Sequence, residues 1–457
     1  MADYALLIPE VLLTLGALWA IFAELLPGGD RGSAWVGAGL AAGAGVVAWV
    51  EPAALGGRFG GLIAFDGPAR FARVAVALLA AIWLLWTAGR GEGRLREGVA
   101  LALFSVVGCM IMAEARELVT LLLGFELATL PAYVLIGYRR NDVRALEGAI
   151  KYFLLSMLTT LVMLYGFSFL YGLTGSTRYG SMDLRGAGML GTVALLMALV
   201  GMFAKLSAAP FHYWAPDAYS GSTPWAVAFV STVPKVAGAV AIVRFVAALA
   251  PGVPAAGSVI AIVAFASMVL GNLAALTQTD VRRMMAYSGV AHSGYLLMGV
   301  AALSVAGFGA AVLYSVAYAI PSMAIMLVAA EEGPLLVDFG DMAQRRPASA
   351  WGVVVLLLSL IGVPPMIGFF GKFNLLIAGQ QRGLTILVVT AVVMSVVSAG
   401  YYLRVVRAMF FSEATAGARE LKRNAAAAFA VGIAVFATVA LGLAAGPVST
   451  WIGAFLR

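Results

Sequence analysis

Long apolar runs separated by short polar loops restrict this chain to folds that lie in a lipid bilayer. A helix that crosses a bilayer needs about 20 apolar residues, and lipid admits only helices and closed barrels. The runs are too long and continuous for barrel strands, which alternate over about ten residues. The sequence therefore predicts an all-α polytopic membrane protein with about fourteen transmembrane helices, at 4–26, 33–50, 70–89, 97–114, 117–138, 144–172, 187–210, 224–249, 255–277, 283–305, 308–331, 349–378, 384–411 and 425–446.

Composition supports a membrane location. Of the 457 residues, 62% are hydrophobic and 11% are charged, whereas soluble domains carry roughly 25% charged residues. The net charge of +7 does not indicate a nucleic-acid partner, because most arginines fall in loops between apolar runs. The segment after Met1-Ala2-Asp3-Tyr4 has no basic region before it and no small-residue cleavage site, so we expect a retained first span.

The basic loop residues predict the orientation. Cytoplasmic loops of membrane proteins carry an excess of Lys and Arg. With both termini outside, the inner loops hold Arg31, Arg90, Arg94, Arg96, Arg139, Arg140, Arg144, Arg282, Arg283, Arg345, Arg346, Arg407, Arg419, Lys422 and Arg423. The outer side then holds Arg58, Arg116, Arg178, Arg185, Arg382 and Arg457, with Arg70 and Arg73 at a helix start. The distribution of these residues predicts a multi-pass protein with both termini on the outer side of the membrane. The high content of Ala, Gly and Arg is typical of a bacterium with GC-rich DNA, so we expect a bacterial plasma (inner) membrane.

Two of the predicted helices contain breaks. Proline removes a donor and clashes with the preceding turn, and it occurs in the seventh helix at Pro210 and in the twelfth at Pro364 and Pro365. Interrupted helices in corresponding positions indicate a transporter built of repeats. The breaks are five spans apart, and an odd number of helices gives inverted repeats. We predict one membrane domain, 1–457, divided into helices 1–3 (1–95), two five-helix repeats (96–250 and 255–412) and helix 14 (413–457).

Lysines are placed unlike arginines in this chain. It has 24 arginines and five lysines, and four of the lysines lie inside apolar segments: Lys151, Lys205, Lys235 and Lys372. Arginine stays charged at any working pH, whereas a buried lysine can lose its proton near neutrality. The pattern predicts proton-exchanging amines within the membrane.

Glu126 is the candidate acidic partner. It lies in the middle of an apolar span, between Leu121 and Pro131. A lone charge there costs at least about 2.5–3.5 kcal/mol, and an ion pair with a lysine on a neighbouring helix offsets part of that. Forming and separating such a pair would load and release a proton.

Each candidate also has an ordinary structural interpretation. Lys205 could bind free carbonyls near Pro210, and Lys372 could extend towards the interface. Lys151 lies four residues after Glu147, the spacing of a common helical ion pair, so its proton role is the weaker one. His292 is either a relay between lysines or a hydrogen-bonded core residue, and His212 is expected in an interfacial loop.

The sequence gives no sign of a catalytic residue, cofactor or metal site. Cys109 is the one cysteine, which excludes a cysteine-ligated cluster formed by this chain alone. There is no Walker loop, no GxGxxG after a strand and no HExxH.

At these residues the chain resembles the antiporter-like subunits of respiratory complex I (NADH–quinone oxidoreductase), which are related to Mrp-type cation/proton antiporters. The matching pieces are Glu126 with Pro131 and Tyr133, 147–156 (EGAIKYFLLS), 205–219 (KLSAAPFHYWAPDAY), 231–238 (STVPKVAG), 287–295 and 362–373. The resemblance implies fourteen helices with inverted repeats at helices 4–8 and 9–13. It also implies an input pair of Glu126 and Lys205, a central Lys235, an output Lys372, and His292 on the axis between them.

Two features resemble the N-type subunit. The chain ends soon after helix 14, without the lateral arm of the L-type, and position 372 is lysine where M-type subunits usually have glutamate. The resemblance implies a non-redox, proton-translocating subunit driven by chemistry elsewhere, with K-type and M-type membrane subunits, the lipid bilayer and protons as partners.

Two other functions remain open at this point. An Mrp-type cation/proton antiporter or a hydrogenase-linked subunit could use the same lysines, although a sodium site needs carboxylates or unwound carbonyls and Glu126 is the one clear mid-membrane acid. A structural subunit that binds quinone or haem is the third possibility, with His212 and His292 as the available haem ligands.

Overall fold

The computed structural model of the chain describes residues 2–23, 29–51, 57–90, 95–413 and 424–447. Nineteen α-helices occupy these residues: α1 Ala2–Ala5, α2 Ile8–Phe22, α3 Gly29–Val50, α4 Gly67–Arg90, α5 Leu95–Glu114, α6 Leu118–Ile136, α7 Val143–Thr174, α8 Gly188–Lys205, α9 Trp214–Gly221, α10 Pro224–Val230, α11 Val233–Leu249, α12 Ala256–Leu276, α13 Val281–Ala301, α14 Val305–Glu332, α15 Met342–Arg345, α16 Pro347–Ile361, α17 Ile367–Gln381, α18 Thr385–Phe411 and α19 Ala425–Leu443. Two short strands, β1 Gly57–Arg58 and β2 Ile63–Ala64, form an antiparallel hairpin before α4.

The predicted all-α membrane fold is confirmed, and each of the fourteen predicted segments contains helix. Within the described residues, eleven helical segments are long and apolar enough to cross a bilayer, and α2 and α16 are shorter apolar helices. The exact number of crossings stays a prediction. Residues 24–26 of the first predicted segment lie outside the described residues, as do Arg94, Arg419, Lys422, Arg423 and Arg457.

Helix starts are fixed locally by side chains that accept backbone N–H groups, which would otherwise lack a partner at a helix N-terminus. Such caps are Glu117 before α6, Asp142 before α7, Thr223 before α10, Asp280 before α13, Ser304 before α14 and Asn424 before α19. At these six helices the residue just before the helix therefore sets where the helix begins.

The helices differ in how far they are enclosed. The most apolar windows of α14 and of the α10–α11 segment are completely buried, whereas only 28% of the window of α18 is buried. α14 packs against α10, α11, α13 and α17. The centre of the molecule is therefore formed by α10, α11, α13 and α14, while α18 presents apolar side chains outward, as expected for contact with lipid.

Within the two predicted five-helix units, three predicted helices are broken in the described residues, and two of the breaks agree with the prediction. The seventh predicted segment ends as α8 at Lys205, five residues before Pro210, and continues after turns as α9. The twelfth is divided into α16 and α17 around Pro364 and Pro365. The expectation that helix 187–210 runs to Pro210 is wrong, because the chain already leaves the helix at Ser207, which has a positive φ of 58°.

The eighth predicted segment, 224–249, is also interrupted, which the sequence analysis did not predict. α10 ends at Val230 and α11 begins at Val233. Pro234 lies in the first turn of α11, where its missing N–H is tolerated. In a continuous helix the same ring would clash with the carbonyl of Val230, so the interruption follows from the proline.

The division into two inverted repeats stays a prediction. α5 packs on α6 and α12 packs on α13, which are corresponding pairs in the predicted units 96–250 and 255–412. The α8–α9 and α16–α17 breaks also occupy corresponding places.

Candidate functional site

Four of the predicted proton-exchanging residues lie in the enclosed centre. Lys205, Lys235 and Lys372 are 6%, 5% and 8% exposed, and His292 is 4% exposed. They come from the end of α8, the first turn of α11, the first half of α17 and the middle of α13. Burial of an amine or imidazole among apolar side chains needs hydrogen-bond partners, and these partners differ from residue to residue.

Lys205 reaches from α8 to α6. Its Nζ donates to Thr129 Oγ1 at 2.6 Å, and Thr129 in turn donates to Phe125 O. The ammonium also lies 5.0 Å from the centre of the Phe125 ring, a cation–π distance. The free carbonyls of the break are taken by other donors: Trp214 Nε1 donates to Ala204 O at 3.0 Å, and Ser293 Oγ donates to Leu206 O. Lys205 therefore does not serve to satisfy its own helix end.

Glu126 is positioned one turn before Thr129 on α6, and its Oε1 is buried without a hydrogen-bond partner in the described residues. The expected direct ion pair with Lys205 is not formed, because the lysine amine is bound to Thr129 instead. Lys205 therefore binds α6 within one turn of Glu126 but makes no ion pair with Glu126.

Lys235 has the least polar surroundings of the three lysines. Its Nζ has no hydrogen-bond partner within the described part of the chain and lies 5.4 Å from the centre of the Tyr318 ring. A Cβ added at Gly289 would lie 2.8 Å from this Nζ and 2.9 Å from Tyr318 OH. Because Gly289 has no side chain, the Lys235 amine and the Tyr318 hydroxyl can both lie close to α13.

His292 is held between two tyrosines. Its Nδ1 shares a hydrogen bond with Tyr314 OH at 2.6 Å, and its Nε2 shares one with Tyr402 OH at 3.1 Å. Tyr402 OH is also 2.5 Å from Ser288 Oγ, and the Tyr318 ring lies 4.8 Å from the imidazole. Both ring nitrogens are therefore in hydrogen bonds, which is the geometry that a relay needs.

Lys372 is bound by three oxygens at the second break. Its Nζ donates to Leu360 O and Ile361 O at 2.9 Å each and to Ser395 Oγ at 2.7 Å. Ser395 donates its own hydrogen to Ile361 O at 2.9 Å, so its oxygen accepts from the lysine. Three donors are needed at Nζ, and only the ammonium form supplies three. Lys372 does not extend to the interface.

Aromatic side chains join these positions into one line. Tyr318 lies between Lys235 and His292, and the Tyr295 ring lies 5.8 Å from the His292 ring and 4.8 Å from Lys372 Nζ. Asn272 donates to Tyr295 OH at 3.4 Å and accepts from Tyr401 OH at 3.1 Å. A cavity of about 370 Å³ between α17 and α18 borders Lys372, Tyr295 and Ser395.

Lys205 approaches the helix of the central lysine. A Cβ added at Gly238 would lie 3.5 Å from Lys205 Cγ, and Gly238 follows Lys235 by three residues on α11. The three lysines and His292 are thus brought together through α11, α13 and α14.

Lys151 lies apart from this line. Its Nζ is 2.6 Å from Glu147 and 2.9 Å from Asp217, and its side chain is 42% exposed. Arg283 also contacts Asp217, at 2.7 Å. The ordinary i, i+4 ion pair is therefore formed. His212 lies in the turns between α8 and α9 and is buried next to Tyr213 and Tyr287, and its expected place at the membrane interface stays a prediction.

Several polar residues of the line were not singled out from the sequence: Thr129, Asn272, Ser288, Tyr295, Tyr314, Tyr318, Ser395, Tyr401 and Tyr402. Tyr314 and Tyr318 are four residues apart, and such residues share a helix face. That spacing of two hydroxyls in an apolar span was the available signal. In the described residues, no group of three or more His, Cys, Asp and Glu side chains could hold a metal ion.

Comparison with known proteins gives the family. The sequence profile of the family "NADH:quinone oxidoreductase/Mrp antiporter, TM" matches residues 115–398. A curated relative from Maricaulis maris, "NADH-quinone oxidoreductase subunit N", is 38% identical over 426 residues, which is 90% of this chain and 88% of the relative.

Solved structures agree with this match. A chain of respiratory complex I from Thermus thermophilus with bound aureothin has a TM-score of 0.83 at 31% identity, covering 97% of this chain and 98% of that chain. A chain of the Mrp complex from Dietzia sp. has a TM-score of 0.84 at 22% identity, covering 98% and 97%, a likeness of fold. The chain belongs to the NADH:quinone oxidoreductase/Mrp antiporter transmembrane family.

Proposed function

We propose that this chain is the proton-translocating subunit N of an NADH–quinone oxidoreductase, a membrane subunit without a redox centre of its own in a translocase complex. Family membership and the names of the curated relatives above 30% identity support this assignment. The observation that carries the proton-transfer role is the buried line of lysines, tyrosines and His292 through α8, α11, α13 and α17.

The line contains sites with different affinities for a charge. Lys372, with three oxygen acceptors, is arranged for the ammonium form, whereas Lys235 has no acceptor within the described residues. Lys205 has one, Thr129. A proton that enters near Glu126 and Lys205 passes Lys235 and reaches Lys372, where it is bound until that break rearranges.

His292 links the central and terminal lysines. A proton that arrives at one ring nitrogen from the Tyr314 side can leave the other nitrogen towards Tyr402. The steps require small movements of Lys235, whose amine lies over the Tyr318 ring and has no hydrogen-bond partner in the described part of the chain.

The driving force must come from outside the chain. Moving one charge against 100 mV costs about 2.3 kcal/mol, and redox chemistry in other subunits supplies it through the Glu126–Lys205 end. The proposed partners are K-type and M-type membrane subunits in a bacterial plasma membrane, with both termini on the outer side. Lys151 contributes at most through the ion pairs around Asp217.

A stand-alone Mrp-type antiporter or a hydrogenase-linked subunit is the second candidate, and the similar fold of the Mrp complex chain is the observation that favours the antiporter. That likeness is at 22% sequence identity, below the 38% identity to the subunit N relative. Sodium-dependent proton exchange by vesicles that contain this chain alone would favour the antiporter.

The decisive experiment is Lys235→Arg in the assembled complex. Arginine keeps a positive charge but does not release its proton, so we expect proton pumping per NADH oxidised to fall at least about tenfold. Pumping is measured by dye quenching in inverted membrane vesicles. NADH oxidation with an artificial electron acceptor serves as the control for assembly of the redox arm.

A matched glycine pair removes the objection that arginine is simply too large. Gly289→Ala would place a methyl group 2.8 Å from Lys235 Nζ and displace the flexible amine, whereas Gly238→Ala meets Lys205 at an ordinary 3.5 Å. We expect lower pumping only for Gly289→Ala. Normal pumping by both Lys235→Arg and Gly289→Ala would contradict the proposed function.

A further inference from the structure

A second group of buried charges lies where α2, α4 and α5 meet, away from the line of Lys205, Lys235, His292 and Lys372 (the lysine line). It consists of Glu10, Glu51, Arg73 and Glu114, here called the carboxyl cluster. Arg73, Glu10 and Glu114 are 1%, 6% and 0% exposed, and Glu51 lies just after α3. The Phe65 ring covers the guanidinium at 4.9 Å.

The hydrogens of Arg73 are directed at two of the three carboxyls. Nε donates to Glu10 Oε1 at 2.8 Å, and Nη2 donates to Glu10 Oε2 at 2.9 Å. Nη1 donates to Glu51 Oε2 at 2.8 Å, and Nη2 also donates to Leu6 O. Glu10 and Glu51 therefore receive the hydrogen bonds of this guanidinium.

Glu114 is left without a hydrogen bond. Its Oε1 lies 2.9 Å from Arg73 Nε, but the single hydrogen on Nε is already donated to Glu10. Neither Glu114 oxygen has a hydrogen-bond partner in the described residues. Glu10 Oε1 and Glu114 Oε1 lie 2.8 Å and 2.9 Å from the same atom, Arg73 Nε, so the two carboxyl groups are neighbours, and two neighbouring ionised carboxylates repel each other.

Two other arginines near the carboxyl cluster, Arg70 and Arg244, interact mainly with groups other than Glu114. Arg70 acts on Glu51 and stacks over Trp49. Arg244, whose charge also acts on Glu114, makes a bidentate ion pair with Asp66. The carboxyl cluster therefore holds three acids against Arg73, and Glu10, Arg73 and Glu114 are all buried.

We propose that the carboxyl cluster binds one proton, shared between Glu114 and Glu10, and so forms a second proton-holding site of this chain outside the lysine line. The Glu114 hydroxyl donates to the Glu10 carboxylate, which supplies the hydrogen bond that Glu114 lacks and removes one of the three negative charges. Burial also raises the pKa of Glu51, against the effect of Arg73, in keeping with an excess of acid here.

The site lies close to the helix of the central lysine. Arg244 Nε donates to Ala113 O, next to Glu114, and Arg244 follows Lys235 by nine residues on α11, or about 13 Å of helix. The proton is thus held near one end of the helix that carries Lys235.

Infrared spectroscopy of the assembled complex tests the proposal. Near pH 7, where ordinary glutamates are ionised, wild-type minus Glu114→Gln spectra should contain one carboxylic-acid C=O band that shifts in D₂O. Glu10→Gln should remove or shift the same band. Glu97→Gln, which changes an exposed carboxyl on α5, should leave it unchanged.

The outcomes separate the proposal from its alternatives. A neutral amide replaces a neutral acid without a change of shape, so the Glu114→Gln complex should assemble normally. Absence of the band difference in both Glu114→Gln and Glu10→Gln would overturn the proposal. Failure of the Glu114→Gln complex to assemble would count against it equally, because it would indicate that this carboxyl is needed in charged form. The infrared band does not depend on the lysine line. The result would therefore stand even if the proposed function of the lysine line were wrong.

Discussion

The break between α8 and α9 and the break between α16 and α17 carry their lysines on opposite sides of the proline. Lys205 precedes Pro210 by five residues and ends α8, whereas Lys372 follows Pro365 by seven residues and lies within α17. Asp217 occupies the position seven residues after Pro210. Seven residues after the proline, the first break therefore has the acidic Asp217 and the second break has the basic Lys372.

The free carbonyls of the two breaks have different donors. At the first break they accept from the neutral side chains of Trp214 and Ser293. At the second break Leu360 O and Ile361 O accept from Lys372 itself. Because neutral donors satisfy the first break, Lys205 is free to bind Thr129 on another helix. Similar breaks can therefore leave one lysine adjustable and hold the other as part of the backbone structure.

The largest expected effect separates these two roles. Lys372→Met leaves Leu360 O without its donor and should destabilise the membrane part by about 1–3 kcal/mol, the cost of a buried unsatisfied carbonyl. Lys205→Met leaves Thr129 bonded to Phe125 O and should change stability much less. Both variants should lose pumping. Thermal unfolding of the purified complex measures the difference.

Lys205→Met is the matched control, because both substitutions replace a buried lysine of similar exposure. Equal losses of stability in the two variants would contradict the distinction between the breaks. A loss of pumping in only one of them would limit the proposed path to that lysine.

A finer test removes one hydroxyl at each lysine. Thr129→Val takes away the hydrogen-bond acceptor of Lys205, whereas Ser395→Ala leaves Lys372 with two carbonyls. Hydrogen bonds to charged groups contribute about 1.5–3 kcal/mol, so Thr129→Val should slow pumping about tenfold and Ser395→Ala about twofold. Initial rates of proton uptake in vesicles measure both. The reverse order would indicate that Ser395 holds the critical proton position.

The fold could be predicted from the sequence because lipid imposes helix on every long apolar run. All fourteen predicted segments contain helix, and the prolines located the breaks at Pro210 and Pro364–Pro365. The end of α8 at Lys205 was missed because distant side chains decide it: Trp214 and Ser293 take the carbonyls that an earlier break exposes. The break before Val233 was missed because Pro234 is compatible with either a kink or a new start.

The candidate site could be predicted only in part. The lysines were found because an amine inside an apolar run is unusual, and the structure places Lys205, Lys235 and Lys372 in the interior. Their partners were not found. Tyr402 comes from α18 and Tyr314 from α14, and only the packing of these helices around His292 brings their hydroxyls together.

The smallest expected effect concerns Asp217, at the position that corresponds to Lys372. It accepts hydrogen bonds from Lys151 and Arg283 and is about one-third exposed. Burial acts to raise the pKa of Asp217, but the hydrogen bonds from Lys151 and Arg283 outweigh it and the pKa is lowered. Exposed ion pairs contribute little, so Asp217→Asn should reduce pumping by less than about threefold.

The direction of the pKa shift sets the pH dependence of this variant. A carboxyl whose pKa is lowered on folding stabilises the fold above its unfolded pKa of about 3.9, and this contribution is lost only as the pH falls through the folded value. The difference between wild type and Asp217→Asn should therefore be the same at pH 6 and pH 8, in thermal unfolding and in pumping. Asp183→Asn, in the exposed pair with Arg185, is the control. A loss of pumping as large as that expected for Lys235→Arg would instead place Asp217 on the proton path and give both breaks a titrating residue beyond the proline.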